Sequence, residues 1–284
     1  MDAHPRNFPT VIPSGWFQIG YSNEIGPGEV KPLAYFGRRL TMARTEEGTL
    51  LVVDADDWVA SADVARVTPR PWYVKEVANL VMCWHHHQGD APRWDIPDEI
   101  PEWGTREGIR NEAWTEWETA DWVVRSCNEE MSENAVDPAH FCYLHGTRNL
   151  PRSNAEFDGP VLRVCSDTGM ETPRGPVDGS VESLSYGFGM GIVRFKGLVE
   201  TLNVGTTTPI DHDHCHLRFN FSVKKVGGAE ITRGVGKAFV NEVKRQVEQD
   251  IPIWEHKIHL PRPMLCDGDG PIASYRRWAQ QFYG

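Results

Sequence analysis

Residues 133–145 read ENAVDPAHFCYLH, a stretch that holds Asn134, Asp137, His140 and His145. Imidazole nitrogens and carboxylate oxygens are the usual ligands of a catalytic metal ion. His140 and His145 are five residues apart, which on an ideal helix places them about 140° apart. A helical pair on one face uses a spacing of four, so the helix must end or loosen between them. Asp137 lies one turn before His140. Asp137-Pro138 also makes a good helix start, with Asp as N-cap and Pro at the first helical position. On spacing alone, a metal site and a capped helix with polar surface residues both fit. A third ligand would favour the metal, and Asp250 in VEQDIPIW is the candidate. It follows Val243 by seven residues and Val247 by three, so it belongs to the buried side of a helix. A bare carboxylate there is costly unless a cation meets it. That cation is either a metal or an arginine such as Arg245 or Arg277. Two histidines and one carboxylate with open positions form the ligand set of non-haem Fe(II) oxygen chemistry.

The surrounding elements must bring residues 140, 145 and 250 together. WFQIGYS, PLAYFGRRLTMAR and TLLVVDA read as strands separated by the turns NEIGPGEV and EEGT, and a strand pair follows in RPWYVKEVANLVMCWHHH. Residues 89–118, rich in Pro, Trp and acid, read as an irregular connector laid over the next domain. A helical pattern is expected over 122–145. GPVLRVCS, VESLSYGFGMGIVRF, LVETLNVGTTTPI and HCHLRFNFSV, bounded by Gly, Pro or Asp turns, predict an antiparallel sheet. A long helix is expected over Gly236–Lys257, with Val240, Val243, Val247, Ile251 and Trp254 as its apolar stripe and Pro252 loosening its end. A short amphipathic helix should close the chain. Tyr186, Phe188 and Met190 lie on candidate pocket strands, where core and pocket roles are equally compatible with their types.

The 284 residues suit one large domain or two modest ones. A formal net charge of −11, with no Lys/Arg stripe, argues against nucleic acid as a partner. A basic amphipathic helix, an apolar span of membrane length and a signal-peptide core are all missing from the sequence, which predicts no membrane association. The cysteines, Cys83, Cys127, Cys142, Cys165, Cys215 and Cys266, are scattered without paired spacing, so a reducing cytoplasm is expected. Eleven tryptophans imply either thick apolar layers or an aromatic-lined pocket.

ENAVDPAHFCYLHG resembles the mononuclear-iron motif of Rieske non-haem iron oxygenases, nearest to the group of 3-ketosteroid 9α-hydroxylase oxygenase components and cholesterol 7-desaturases. The resemblance extends through WFQIGYSNEIGPGEVKPLAYFGRRLTMART, NLVMCWHHHQGDAPRWDIPDEIPEW, TTTPIDHDHCHLRF, QVEQDIPIWEHK and LCDGDGPIASYRRWAQQFY, in order along nearly the whole chain. It implies an α+β fold: a helix-grip (START-like) domain, an antiparallel sheet around a long C-terminal helix, over residues 89–284. A small all-β Rieske-like domain would precede it over 1–88. It implies Fe(II) held by His140, His145 and Asp250. Asp137 would link that iron to an imidazole of a neighbouring subunit's cluster, and Asn134 would stand beside the iron. It further implies a trimer-based oligomer, O2 and a steroid-like or other bulky apolar substrate.

A Rieske [2Fe-2S] cluster needs Cys-x-His and, a little further on, Cys-x-x-His. In the family these follow the strand equivalent to TLLVVDA, which here runs straight into DDWVASADVARVTPRPWYVKE. The cluster segment is therefore expected to be missing, leaving a truncated Rieske-like domain with no [2Fe-2S] in this chain. Cys83-Trp84-His85 and Cys142-Tyr143-Leu144-His145 match the two patterns but are too far apart, and His145 belongs to the triad. The run His85–His87 reads as exposed strand and turn. His212, His214 and His216 read as a turn leading into a strand. The function expected first is a catalytic-only oxygenase subunit that receives electrons from a Rieske-bearing subunit or a ferredoxin and reductase. The alternatives are a metal-dependent hydrolase, lyase or isomerase on the same triad, and a non-catalytic subunit or binding module.

Overall fold

The computed structural model describes residues 6–57, 71–145, 152–172, 175–197, 199–227, 229–266 and 268–284. Residues 58–70, which hold most of the stretch where the cluster segment is expected to be missing, lie outside the described residues.

The N-terminal part is built from β1 (Gly15–Tyr21), β2 (Val30–Tyr35), β3 (Arg38–Arg44), β4 (Leu50–Asp54), β5 (Val74–Val77) and β6 (Leu80–His85). They form two antiparallel sheets, ordered β1-β6-β5 and β2-β3-β4. PLAYFGRRLTMAR is a hairpin, because Phe36 and Gly37 take φ of 59° and 68°, the paired positive values of a two-residue turn between twisted strands. β1 and β6 are apolar on both faces. Phe17, Ile19, Val81 and Cys83 pack with Leu40, Met42 and Val52 of the second sheet. Their alternate neighbours Trp16, Leu80, Met82 and Trp84 pack with Met190, Ile192, Leu202 and Val204 of a larger sheet, as the two-residue strand period requires.

That larger sheet is antiparallel and seven-stranded, ordered β7-β13-β12-β11-β10-β9-β8. Its strands are β7 (Glu118–Val124), β8 (Arg152–Asp158), β9 (Val161–Thr172), β10 (Gly175–Tyr186), β11 (Met190–Lys196), β12 (Thr201–Pro209) and β13 (Cys215–Val223). β8 has no counterpart in the expected elements, since RSNAEFD is polar and pairs only on one side, with β9. Buried Gln18 fastens the small sheet to the large one. Its carboxamide oxygen accepts from Thr206 Oγ1 at 2.7 Å, and its main-chain oxygen accepts from Arg218 at 3.0 Å. A Cβ at Gly189 would lie 2.0 Å from the Trp16 carbonyl oxygen, so only glycine permits this approach.

Between β6 and β7 the chain is irregular, as expected, but it does more than cover a surface. Ile96 and Ile100 enter the shared core, Trp103 stacks on Trp117 at 4.4 Å, and Glu102 binds Arg194 at 2.5 Å. The helical region around the motif is shorter and more broken than its pattern suggests. Residues 118–124 are strand, followed by α1 (Asn128–Ser132), a 3-10 turn (Glu133–Val136) and α2 (Pro138–Tyr143). The long helix α3 spans Ala229–His256 and runs through Pro252. Val240, Val247 and Trp254 of its stripe are buried, against Phe221 and Val223 at one end and Leu217 and Val124 at the other. α4 (Ile272–Ala279) packs Tyr275 and Trp278 against Val136, Leu162 and Phe188. Phe188 and Met190 are thus core residues. No helix among the described residues is long and apolar enough to cross a membrane.

Candidate metal centre

α2 begins at Asp137, whose carboxylate accepts the Ala139 N–H at 2.9 Å, with Pro138 next in the first turn. The helix stops after Tyr143, and the N–H groups of Leu144 and His145 both turn back to the His140 carbonyl, at 2.8 and 3.3 Å. This termination lets a spacing of five converge: the two imidazole rings lie 5.3 Å apart and nearly perpendicular, at 81°. Asp250 approaches from α3. One ligand atom from each of His140, His145 and Asp250 lies within 4.8 Å of the others, and His145 Nε2 is 3.4 Å from Asp250 Oδ1. Neighbouring ligand atoms on an ion at about 2.1 Å stand about 3.0–3.4 Å apart, a separation that the His145–Asp250 pair already has.

Both imidazoles are oriented through their other nitrogen. His140 Nδ1 donates to the Asp137 main-chain carbonyl. His145 Nδ1 donates to the Gln249 carboxamide oxygen at 3.1 Å. Each Nε2 is thereby left with its lone pair toward the shared point. Burial pulls His140 below the usual imidazole range, against a smaller upward pull from Asp137 and Asp250. Burial also lowers His145, but the nearby Asp250 carboxylate and the Gln249 oxygen together outweigh it and raise the group.

Asp250 is 7% exposed, and its Oδ1 has no hydrogen-bond partner among the described residues. Neither arginine considered for it is engaged there: Arg245 pairs with Glu242 at 2.6 Å and Arg277 bonds Ser274 at 2.9 Å. An acidic group flanked by two imidazoles that present lone pairs suits a divalent cation. Asn134 sits half-buried in the 3-10 turn, with its main-chain oxygen accepting the Asp137 N–H at 3.3 Å.

Cys83 and several other histidines are engaged away from this site. Cys83 is fully buried and its thiol is pushed far up by burial. His85 donates from Nδ1 to the Pro13 carbonyl, stacks on Phe36 at 4.7 Å, and is lowered by burial to about 4. His85 and His86 are buried and only His87 is exposed, which corrects the expectation of an exposed run. His212 and His214 lie in a turn before β13, as expected, and His216 bonds Tyr35 and Asp121, both at 3.0 Å.

Three features of the site region escaped the sequence. Gln249 is next to Asp250 but looks like any surface glutamine. Glu130 and Glu133 are buried among Lys257, His259 and Arg276. Thr201 and Asn203, on the face of the large sheet that carries Phe221 and Val223, hold buried side-chain oxygens without partners among the described residues. Only the polar character of Thr201 and Asn203 within a strand of apolar neighbours could have signalled them.

With this geometry, the chain's similarities to other proteins are informative. It is 27% identical to a 3-ketosteroid-9-alpha-monooxygenase oxygenase component of Rhodococcus rhodochrous, covering 98% of this chain and 86% of that one. It is 24% identical to cholesterol 7-desaturase nvd 1 of Ciona intestinalis, over 98% and 70%. Its fold is similar to that of dicamba monooxygenase bound to dicamba, with a TM-score of 0.68 at 13% identity over 97% and 98% of the two chains. Residues 83–283, which include the whole triad, match the model of one family, and the chain belongs to it: the 3-ketosteroid 9alpha-hydroxylase C-terminal domain family.

Proposed function

We propose that this chain is the catalytic subunit of a non-haem iron monooxygenase acting on a steroid-like or similarly bulky apolar substrate, with electrons supplied from outside the chain. The observation that carries this is the unpartnered, buried Asp250 Oδ1 set against two imidazoles whose Nδ1 protons are both committed elsewhere. In this reading residues 89–284 form a helix-grip catalytic domain, with α3 against the large sheet. Residues 1–88 form a small Rieske-like β unit that lacks cluster ligands. The alignment with the Rhodococcus relative extends over 330 residues, longer than this 284-residue chain, which supports a segment present there and missing here. The sequence has no cysteine before Cys83, and that thiol is sealed in the core.

His140, His145 and Asp250 would hold Fe(II), whose contribution when bound is the binding and reduction of O2 at open coordination positions. Asp250 supplies the single negative charge of the ligand set. The Asp137 carbonyl and Gln249 keep the imidazoles aimed. α3 and the large sheet exclude water around Asp250. Asn203 and Thr201, with unpartnered oxygens on the sheet face toward α3, would orient a polar group of an otherwise apolar substrate. Asp137, its carboxylate on the α2 cap, would face the incoming imidazole of a Rieske-bearing partner in a trimer-based assembly, and Asn134 would lie beside the iron.

Iron content, product and O2 consumption should be measured on the purified chain with a 3-ketosteroid probe, with and without a Rieske protein and its reductase. Turnover is expected only with iron, O2 and the donor all present. Product formed under anaerobic conditions would point instead to Lewis-acid chemistry on the same triad and would end the oxygenase proposal.

A further inference from the structure

We infer that Gln249 is a positioning residue for metal binding: it fixes His145 in the tautomer that can ligate. The inference rests on the metal site proposed above. Two consecutive residues of α3 flank the His145 ring. Gln249 Oε1 lies 3.1 Å from Nδ1, and Asp250 Oδ1 lies 3.4 Å from Nε2. The His145 side chain is only 2% exposed, so water does not compete for either nitrogen.

A neutral imidazole carries one N–H, on one nitrogen or the other. Left alone beside Asp250, the ring would place that proton on Nε2, because a hydrogen bond to a carboxylate is stronger than one to a neutral acceptor. The ring would then bond Asp250 directly and present no lone pair to an ion. The Gln249 oxygen opposes this by accepting from Nδ1, which returns the lone pair to Nε2. His140 needs no such side chain, because its acceptor is the Asp137 main-chain carbonyl. The tautomer of His145 therefore depends on one replaceable residue. A neutral carboxamide also orients the ring without adding a second negative charge next to Asp250.

The test is Co(II) titration of the metal-free chain near neutral pH, read by the visible absorption of the bound ion, for wild type, Gln249→Leu and Gln249→Glu. Metal-free melting curves check that each variant folds. Gln249→Leu is expected to weaken Co(II) binding about 10- to 100-fold without a matching loss in the metal-free melt. Gln249→Glu, which can only accept, is expected to bind at least as tightly as wild type. Should Gln249→Leu be too unstable to titrate, the Glu variant decides alone: folded but weak in Co(II) binding, it overturns the inference, since the carboxamide would then be donating. A Leu variant that binds like wild type overturns it too. Failure of the wild type itself to bind Co(II) sinks the metal site, a separate and recognisable result.

Discussion

Glu130 and Glu133 are as deeply buried as Asp250, and they lie on the same broken helical segment that leads to His140 and His145. Yet they meet cations. Glu130 pairs with Lys257 at 2.9 Å and His259 at 2.6 Å; Glu133 pairs with Lys257 at 2.8 Å and Arg276 at 2.7 Å. These bonds clamp the C-terminal tail and α4 to the segment that carries His140. Among the described residues Asp250 meets only the imidazoles of His140 and His145. A carboxylate neutralised by lysine and arginine is holding the fold together. One left facing neutral donors has a place for an ion that the polypeptide does not provide.

The sharpest separation is between removing one carboxylate or the other. Glu133→Ala leaves Arg276 without a buried partner and Lys257 with Glu130 alone, and should lower stability by about 3 kcal/mol or more in urea unfolding. Asp250→Ala in the metal-free chain removes a charge that no cation compensates, so its unfolding midpoint should stay level or rise. A loss at Asp250 as large as at Glu133 would erase the distinction between the two sites.

Next in size is the response to metal. At a free Co(II) concentration 100 times its Kd, wild type should gain about 2.7 kcal/mol of stability. Asp250→Ala should gain nothing measurable, whereas Glu133→Gln, if folded, should keep most of the gain. Thermal shift with increasing Co(II) follows all three proteins.

Acid should distinguish the sites as well. Burial opposes ionisation of Glu133, but Arg276 and Lys257 outweigh it and hold the carboxyl below its usual range. A carboxyl with a lowered folded pKa releases its proton more readily in the folded state. Its contribution is therefore complete above the ordinary glutamate value of about 4.3 and is lost as the pH falls through the folded value. Unfolding free energy should drop over that acid range in wild type, and Glu133→Gln should flatten the drop.

The smallest effect concerns the sheet face. Asn203→Leu removes a buried oxygen without a partner, so stability should hold or rise slightly. Co(II) affinity should not change. KM for a keto-substituted apolar probe should rise about tenfold, the loss of one buried hydrogen bond to substrate. An unchanged KM would separate Asn203 from the substrate cavity.

Much of this protein is written in local spacing. The period-two apolar strands, the stripe Val240–Trp254 and the Asp137-Pro138 helix start all appear in the structure where the sequence places them, because each depends on neighbours a few residues away. The residues of the triad were also readable, with the resemblance to a known family making the set specific. The sequence could not choose between a metal and an arginine for Asp250, since either fits a buried helical carboxylate. Packing takes these two arginines out of the choice by sending Arg245 to Glu242 and Arg277 to Ser274. Gln249 reaches His145 from 104 residues away, and the partners of Glu130 and Glu133 lie more than 120 residues along the chain. Such contacts have no periodicity to betray them. They arise only when α3 and the C-terminal tail close over the motif, and that closure is what gives the carboxylates of one region their different charges to face.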